Sequence, residues 1–294
     1  MDNELILYDR INAIKDTINK YGEETWCISF SGGKDSMVLS KLIDLALPNN
    51  QIPRIYANTG IEWNKMVQFV KEQQEKDPRI VIIKPSAKIK DTLEQYGYPF
   101  KSKQHSFYVR VFQRNGINSK AVQFYLKDTG SRYECPEKLR YQFTGDFTLK
   151  INDSCCKYMK EKPLDKYKKD NNKPNQILGI MSEEGGRRAN ANCITLIGRK
   201  ISFHPLVKVT KEWEDWFIEK YEIDLCELYK PPFNFIRTGC KGCPFAQDLA
   251  DELAIMEKYL PEERKQCEYI WKPIYEEYRR IGYRLKREEQ MKLL

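Results

Sequence analysis

The stretch Ser31–Ser36, which reads SGGKDS, follows the apolar run Thr25–Phe30 and precedes a helical pattern over Asp35–Leu47. This order predicts a strand, a glycine turn and a helix. Two glycines permit a tight turn, so that successive N–H groups and the positive end of the helix face an anion. Lys34 adds a full positive charge. The stretch therefore predicts a phosphate-binding loop, and the alternative is an ordinary glycine turn with a solvated lysine.

The loop does not have the spacing of a Walker A motif, which places four residues between its first glycine and Gly-Lys. SGGKDS instead resembles the PP-loop of the ATP pyrophosphatase superfamily. That resemblance implies a nucleotide-binding enzyme that cleaves ATP between its α and β phosphates.

Strand and helix patterns alternate along the first part of the chain. Strands are predicted at Thr25–Phe30, Ile52–Asn58, Arg79–Lys84 and Gln176–Met181, and helices in the first twenty residues, at Ser36–Leu47 and at Trp63–Glu75. Such alternation predicts an α/β fold with a mainly parallel sheet. The superfamily resemblance implies helices on both faces of this sheet, in an adenine nucleotide alpha hydrolase-like arrangement. Ligands then bind at the carboxyl ends of the strands.

Length and composition indicate an ordinary globular protein. The chain has 294 residues, 41% of them hydrophobic, and its formal net charge of +8 suits an anionic partner. No apolar run is long enough for a membrane span, and no signal peptide is recognised, which predicts a cytoplasmic protein. We expect a nucleotide-binding α/β domain over residues 1–245, with an insert near 98–150, and a C-terminal helical extension over 246–294.

Four of the nine cysteines form a pattern: Cys155 and Cys156 in tandem, then the Cys-x-x-Cys pair Cys240 and Cys243. In a reducing cytoplasm such thiols stay free, so metal binding is favoured over disulfides. Adjacent cysteines must reach two corners of one site, which a four-iron four-sulfur cluster accommodates better than zinc does. Zinc and unliganded buried thiols are the alternatives.

The loop and the cysteines, in this order, resemble the phosphoadenylyl-sulfate and adenylyl-sulfate reductase family. Further resemblances lie at Tyr56–Glu62, Gly97–Lys101, Cys155–Leu164, Gly179–Arg188, His204–Leu206 and Phe233–Cys240. Cluster-bearing adenylyl-sulfate reductases use the tandem-plus-pair pattern, which implies that the same four cysteines are the cluster ligands here.

The sequence departs from the family pattern in three respects. Family reductases carry a catalytic cysteine in a C-terminal Glu-Cys-Gly-containing tail, whereas the last cysteine here is Cys267, in a helical pattern. Met181 stands where the family commonly has an arginine. The SGGKDS loop is complete although reductases often have a degraded one, because their substrate carries no β or γ phosphate. We therefore expect a loop suited to ATP itself.

The candidate nucleotide-binding residues begin with the loop. Phosphate contacts are assigned to Ser31, Gly32, Gly33 and Ser36. Lys34 would neutralise the charge that builds on the leaving pyrophosphate. Asp35 would either hold the magnesium ion that accompanies ATP or cap the helix, and the capping interpretation is favoured. Lys34 and Asp35 are the candidate catalytic residues.

Other candidate residues follow later strands. Asn58, Thr59 and Gly60 are assigned to the adenosine, and Arg187 and Arg188 to phosphate. The two arginines would otherwise pair with Glu183 and Glu184. The only histidines, His105 and His204, give no support for a catalytic triad.

Aromatic and basic residues interleave through residues 98–150, from Tyr98 and Phe100 to Arg110 and Arg114. Such interleaving can stack bases and neutralise phosphates. The alternative is an amphipathic helical insert whose aromatic side chains fill the core.

Three functions remain open. In the first, ATP adenylates an oxygen of a substrate and sulfur displaces AMP, as in thiolation of DNA or RNA, with a cysteine desulfurase as the sulfur donor. In the second, the enzyme reduces an adenylylated sulfate to sulfite. In the third, the chain is a non-catalytic nucleotide-binding subunit with a structural cluster. The complete loop and the expected lack of the cysteine tail favour the first.

Overall fold

The computed structural model describes residues 2–128, 130–131, 133–185, 188–198 and 200–286. Within these ranges the helices are α1 (Asn3–Tyr21), α2 (Lys34–Ala46), α3 (Asn64–Lys76), α4 (Ile89–Tyr96), α5 (Lys103–Asn115), α6 (Lys120–Leu126), α7 (Lys162–Asp170), α8 (Lys211–Lys220), α9 (Leu249–Tyr259), α10 (Pro261–Ile270) and α11 (Lys272–Ile281). The strands are β1 (Trp26–Phe30), β2 (Arg54–Ala57), β3 (Ile80–Ile83), β4 (Asn175–Leu178), β5 (Ile194–Ile197) and β6 (Lys200–Phe203).

The six strands of the described residues form one sheet in the order β3-β2-β1-β4-β6-β5. β1 runs parallel to β2 and β4, β2 to β3, and β4 to β6. Of these strands, only β5 is antiparallel to its neighbour, β6. The predicted mainly parallel α/β fold is confirmed. The hairpin of β5 and β6 was not predicted, because its strands are short and flank a polar turn.

Helices cover both faces of the sheet, as predicted. Trp26 and Ile28 of β1 face one side, where they join a core with α1, α2 and α8. Cys27 points to the opposite side, where Lys168 of α7 acts on it electrostatically. Lys168 Nζ also lies 3.0 Å from Gln176 Oε1 of β4. α7 packs against β2 and β3.

The chain divides into two compact units, each built from three separate stretches. The first unit combines Met1–Asn58, Asn64–Pro85 and Glu161–Thr238, and the second combines Thr59–Trp63, Ser86–Lys160 and Gly239–Leu294. The sheet belongs to the first unit, and α4–α6 and α9–α11 belong to the second. The division into a nucleotide-binding domain over residues 1–245 and a C-terminal helical extension over 246–294 stays a prediction. None of the helices within the described ranges has the length and apolar character that crossing a bilayer requires.

Both histidines make structural hydrogen bonds. His105 is buried, with Nδ1 2.9 Å from Tyr125 Oη and Nε2 2.7 Å from Gln142 Oε1. Burial lowers the pKa of His105 to about 4. His204 Nδ1 lies 2.7 Å from the carbonyl oxygen of Asn192, and Nε2 lies 2.8 Å from Ser202 Oγ.

Candidate functional site

The SGGKDS loop connects β1 to α2, and its first glycine is required by packing. Gly32 has a φ of +74°, a conformation that other residues rarely adopt. A β-carbon at this position would lie 2.6 Å from Met66 Sδ and 2.7 Å from Val70 Cγ2. The backbone of the loop therefore lies directly against α3, with no room for a side chain.

The two serine hydroxyls shape this turn. Ser36 Oγ donates to the carbonyl of Gly33 at 2.8 Å, and Ser31 Oγ accepts from the Gly33 N–H at 3.2 Å. The two hydroxyl oxygens lie 3.2 Å apart. Their assignment to phosphate stays a prediction, as does that of the glycine N–H groups.

Gly33, rather than Asp35, is the N-cap residue of α2, and as a glycine it has no side chain to cap the helix. Lys34 and Asp35 lie in the first turn. The hydroxyl of Tyr229 lies at this terminus, where it bonds the Lys34 N–H and lies 2.6 Å from Thr238 Oγ1. Lys34 Nζ lies 5.6 Å from the centre of the Tyr229 ring. Sequence reasoning missed Tyr229, because nothing near it in the chain marks a site.

A cavity of about 280 Å³ opens beside the start of α2 within the first unit. Charged side chains of both signs line it: the cations Lys34, Lys211 and Arg237, and the carboxyl groups of Asp35, Glu183, Glu214 and Asp215. The terminus of α2 adds the positive end of its dipole to the three cations. The cavity can therefore hold a phosphate chain if its carboxylates are compensated.

Glu214 of α8 is the most unusual group in this cavity. The residue is 5% exposed, and its Oε1 has no hydrogen-bond partner among the described residues. Burial raises the pKa of its carboxyl to about 8, and the charge of Asp35 and a hydrogen bond with Asp35 act in the same direction. The raised pKa favours the neutral form of the Glu214 carboxyl, which reduces the negative charge in the cavity. Nothing in the sequence near Glu214 distinguishes it from other helical glutamates.

The segment after β4 packs closely against the first turn of α2. A β-carbon on Gly179 would lie 3.0 Å from the carbonyl oxygen of Asp35. Met181 is buried and also lines the cavity. Arg187 lies outside the described residues, while the N–H of Arg188 donates to the carbonyl of Gly185 at 3.1 Å. The assignment of both arginines to phosphate stays a prediction.

All four patterned cysteines lie in the second unit. Cys155 has a raised pKa because it is buried and because Cys156, Cys240 and Cys243 act on it electrostatically. Burial likewise raises the pKa of Cys243. The fold therefore brings together two pairs of thiols, although the pairs lie more than eighty positions apart in the chain.

A charged pair lies beside these thiols. Lys160 Nζ lies 3.3 Å from Glu62 Oε1 and hydrogen-bonds to the Cys240 thiol. Glu62 in turn accepts from the Thr59 N–H at 2.7 Å and from the Thr59 hydroxyl. Lys160 therefore supplies positive charge where deprotonated thiolates would carry negative charge.

A sequence model of the Phosphoadenosine phosphosulfate reductase domain matches residues 25–137 and 124–246. The chain belongs to this family. The matched residues include the SGGKDS loop and all four patterned cysteines. The family resemblance stated from the motifs is thereby confirmed. A comparison with curated proteins finds no match.

Three solved structures resemble this member of the phosphoadenosine phosphosulfate reductase family. A phosphoadenylyl-sulfate reductase from Candida auris is 11% identical, with a TM-score of 0.45 over 78% of this chain and 93% of its own. An NH3-dependent NAD synthetase from Campylobacter jejuni is 14% identical, with a TM-score of 0.41 over 93% and 94%. The U34-tRNA thiolase NcsA from Methanococcus maripaludis, with its [4Fe-4S] cluster, is 14% identical, with a TM-score of 0.38 over 94% and 80%. Likenesses of this degree carry no functional argument.

The donor set of four cysteines in this family member suits an iron–sulfur cluster or zinc. A single zinc ion needs sulfurs about 2.3 Å from the metal, and therefore about 3.8 Å from one another. Within the described ranges, no group of three or more His, Cys, Asp and Glu side chains is arranged to hold one metal ion. The assignment of a cluster, or of zinc, to these four thiols therefore stays a prediction.

The C-terminal helices hold the backbone of the Cys-x-x-Cys loop. Trp271 Nε1 donates to the carbonyl of Lys241 at 3.2 Å, and the Tyr275 hydroxyl donates to that of Gly242 at 2.5 Å. Glu252 accepts from the Gly242 N–H at 3.2 Å. Sequence reasoning found no site signal in these helices, because each contact joins the loop to a residue at least ten positions away.

The three residues assigned to the adenosine are divided between the units. Asn58 belongs to the first unit, where its N–H donates to the carbonyl of Ile83 at 2.9 Å. Thr59 and Gly60 belong to the second, where Gln266 Nε2 donates to the Gly60 carbonyl at 3.3 Å. Their contact with a nucleotide stays a prediction.

Proposed function

We propose that this member of the phosphoadenosine phosphosulfate reductase family is an AMP-forming ATP pyrophosphatase that activates an oxygen of a substrate for replacement by sulfur. The observation that carries the proposal is the cavity at the start of α2, where Lys34, Lys211 and Arg237 lie beside a complete SGGKDS loop. The β and γ phosphates of ATP need cations at this position, whereas an adenylylated sulfate carries neither a β nor a γ phosphate.

In the first step, the substrate oxygen attacks the α-phosphorus of ATP. The bond to the bridging oxygen breaks, and pyrophosphate leaves with that electron pair. Lys34 and the N–H groups of Gly32 and Gly33 are assigned to the leaving phosphates. The neutral form of Glu214, which its raised pKa favours, would keep one negative charge away from them. Asp35 is the candidate contact for the magnesium ion that accompanies ATP.

In the second step, the terminal sulfur of a persulfide attacks the activated carbon, a C–S bond forms, and AMP leaves with the former substrate oxygen. A reductant thiol then attacks the inner sulfur of the persulfide donor, so that the S–S bond breaks, a disulfide forms and the electron pair stays on the sulfur bound to the acceptor. A cysteine desulfurase is the proposed source of the persulfide, and DNA or RNA the proposed acceptor. Cys155, Cys156, Cys240 and Cys243 would hold a four-iron four-sulfur cluster. When bound, such a cluster would supply iron to which soft sulfur ligands bind. Zinc at these thiols is the alternative.

Reduction of an adenylylated sulfate is the second candidate, and membership of the family favours it. That reaction needs an accessible thiolate. Cys267 of α10 is fully buried, and burial raises the pKa of its thiol to about 12. A buried, protonated thiol is a poor nucleophile, so Cys267 is unsuited to the role.

The deciding experiment measures two products from one anaerobic preparation. Release of labelled pyrophosphate from ATP is followed with and without RNA or DNA, and sulfite is followed with adenylyl sulfate or its 3′-phosphorylated form plus thioredoxin. We expect AMP and pyrophosphate when the nucleic-acid acceptor is present, and little sulfite. Brisk sulfite formation that is lost in Cys267→Ser would contradict this proposal and show that the protein is a reductase. Binding of ATP without any turnover would indicate a nucleotide-binding subunit.

A further inference from the structure

A cleft of about 650 Å³ lies in the second unit, between the C-terminal half of α5 and the segment 144–152. It is separate from the SGGKDS loop in sequence, and it includes none of the four patterned cysteines. Its volume is in the range of sites that enclose one nucleotide-sized ligand.

The charge of the cleft has one sign. Arg110, Arg114 and Lys150 line it, and no described residue of the lining is acidic. The surrounding stretch, Gln95–Lys127, contains six basic residues and no acidic one. Arg110 is held in place by Asp153, with Nε 2.7 Å from Oδ1, while Arg114 and Lys150 are exposed. The cleft therefore attracts an anion.

Aromatic rings line the cleft beside these cations. Tyr96, Phe112 and Phe147 are each half-buried, so part of each side chain stays accessible. Each is supported by another ring: Tyr96 stacks on Tyr158 at 3.9 Å, Phe112 meets Phe143 at 5.6 Å, and Phe147 meets Tyr141 at 5.6 Å between ring centres. Supported, accessible rings are suited to stacking with planar ligand groups.

The insert thus separates two kinds of aromatic residue. Tyr98, Phe100 and Tyr125 are buried and fill the core, as the amphipathic-insert interpretation predicts. Phe112 and Phe147 of the insert line the cleft instead, next to cations, together with Tyr96 just before the insert. The core-filling interpretation therefore applies to the first group, and the base-stacking interpretation stays a prediction for the second.

We propose that this cleft binds a nucleotide segment of a single-stranded nucleic acid, with the bases on the rings and the phosphates on Arg114 and Lys150. The inference rests on the proposed function, because it supplies the acceptor for sulfur transfer. Single strands are favoured over duplexes because stacking on protein rings requires unpaired bases. Arg110 links the cleft to the cysteines along the chain, because its partner Asp153 lies two positions before Cys155.

The test measures binding by the full-length chain in the absence of ATP, by fluorescence anisotropy with labelled oligouridine, oligothymidine and a matched duplex. We expect both single strands to bind more tightly than the duplex. The double variant Arg114→Glu/Lys150→Glu should weaken single-strand binding at least tenfold. It should also reduce the slope of log K against log salt by about 1.4, the value for two lost phosphate contacts.

The matched control is Lys258→Glu/Lys272→Glu, which makes the same change in net charge at two exposed lysines of the second unit outside the cleft. It should keep most of the affinity. A second variant, Phe147→Leu, retains apolar volume but removes the ring, and should weaken binding about tenfold with an unchanged salt slope. Oligodeoxyuridine, which differs from oligouridine only at the 2′ position, identifies the preferred sugar.

Equal losses in the cleft and control variants would overturn the proposal, as would absence of single-strand binding by the wild-type chain. If AMP displaces the labelled strand at the same concentrations as an unlabelled strand does, the cleft is a mononucleotide site instead. Because ATP is absent, the result is independent of turnover. Strand binding without pyrophosphate release would contradict only the proposed function, and pyrophosphate release without cleft-dependent binding would contradict only this inference.

Discussion

The ammonium of Lys241 lies 2.7 Å from the carboxylate of Glu263, and both side chains are almost completely buried. Lys241 is inside the Cys-x-x-Cys loop and Glu263 is on α10. The pair therefore fixes the position of the loop from within its own unit, together with the backbone contacts from Trp271 and Tyr275.

Loss of one partner should be costly here. We expect Glu263→Ala to lower the free energy of unfolding by about 3–5 kcal/mol, because a buried ammonium loses its main counter-charge. The neighbouring pair Lys265–Glu262 has the same 2.7 Å separation but is largely exposed. Glu262→Ala should therefore change stability by less than about 1 kcal/mol. Similar losses in the two variants, measured by chemical denaturation, would contradict the role assigned to burial.

Gly242 should not tolerate a side chain. Its φ is +60°, and a β-carbon would lie 2.4 Å from Tyr275 Oη and 2.9 Å from Cys267 Sγ. We expect Gly242→Ala to reduce the iron retained after anaerobic purification to well under half. Gly239→Ala is the control, since that glycine has nothing within 4 Å of the added carbon. Equal iron in both variants would show that the geometry of this loop is unimportant for metal binding.

The anaerobically purified protein should be brown and contain about four irons per chain. Serine at any one of Cys155, Cys156, Cys240 or Cys243 should remove most of the colour and iron, because each thiolate is an assigned ligand. Cys193→Ser should not, since that thiol lies outside the group. Stoichiometric zinc without iron would favour the zinc alternative.

Lys34→Ala should abolish pyrophosphate release from ATP, a loss of at least about 100-fold, while the melting temperature stays within about 2 °C. The reason is that Lys34 lines the cavity and does not pack in the core. Lys41→Ala, at an exposed position further along α2, should keep full activity. Undiminished turnover in Lys34→Ala would show that Lys34 and its loop take no part in the reaction.

Stability should fall in mild acid because of His105. Its pKa is about 4 in the folded chain and about 6.5 when unfolded, so the unfolded chain binds the proton first as pH falls. About 3 kcal/mol of unfolding free energy should be lost between pH 6.5 and 4 through this residue. NMR of the two histidines tests the cause directly, with His204→Gln as the assignment variant. An imidazole of His105 that titrates near pH 6.5 in the folded state would refute this.

The sequence predicted the features that depend on local pattern. β1, the SGGKDS turn and α2 follow one another within about twenty residues, and their order alone indicated a parallel sheet. The cysteine pattern likewise identified four thiols that the fold brings together. What could not be predicted depends on contacts between distant segments. Glu214 and Tyr229 reach the loop from other parts of the first unit, and Glu252 reaches the Cys-x-x-Cys loop across its own unit.

The discontinuous second unit also has a consequence for biosynthesis. Cys156 and Cys240 lie 84 positions apart, so a ribosome that adds about 5–20 residues per second needs about 4–17 s to pass from one to the other. During that interval the twin thiols exist on a nascent chain whose second pair has not been made. Any group that requires all four ligands can be loaded only after Cys243 has been synthesised, which makes its maturation a late step of biosynthesis.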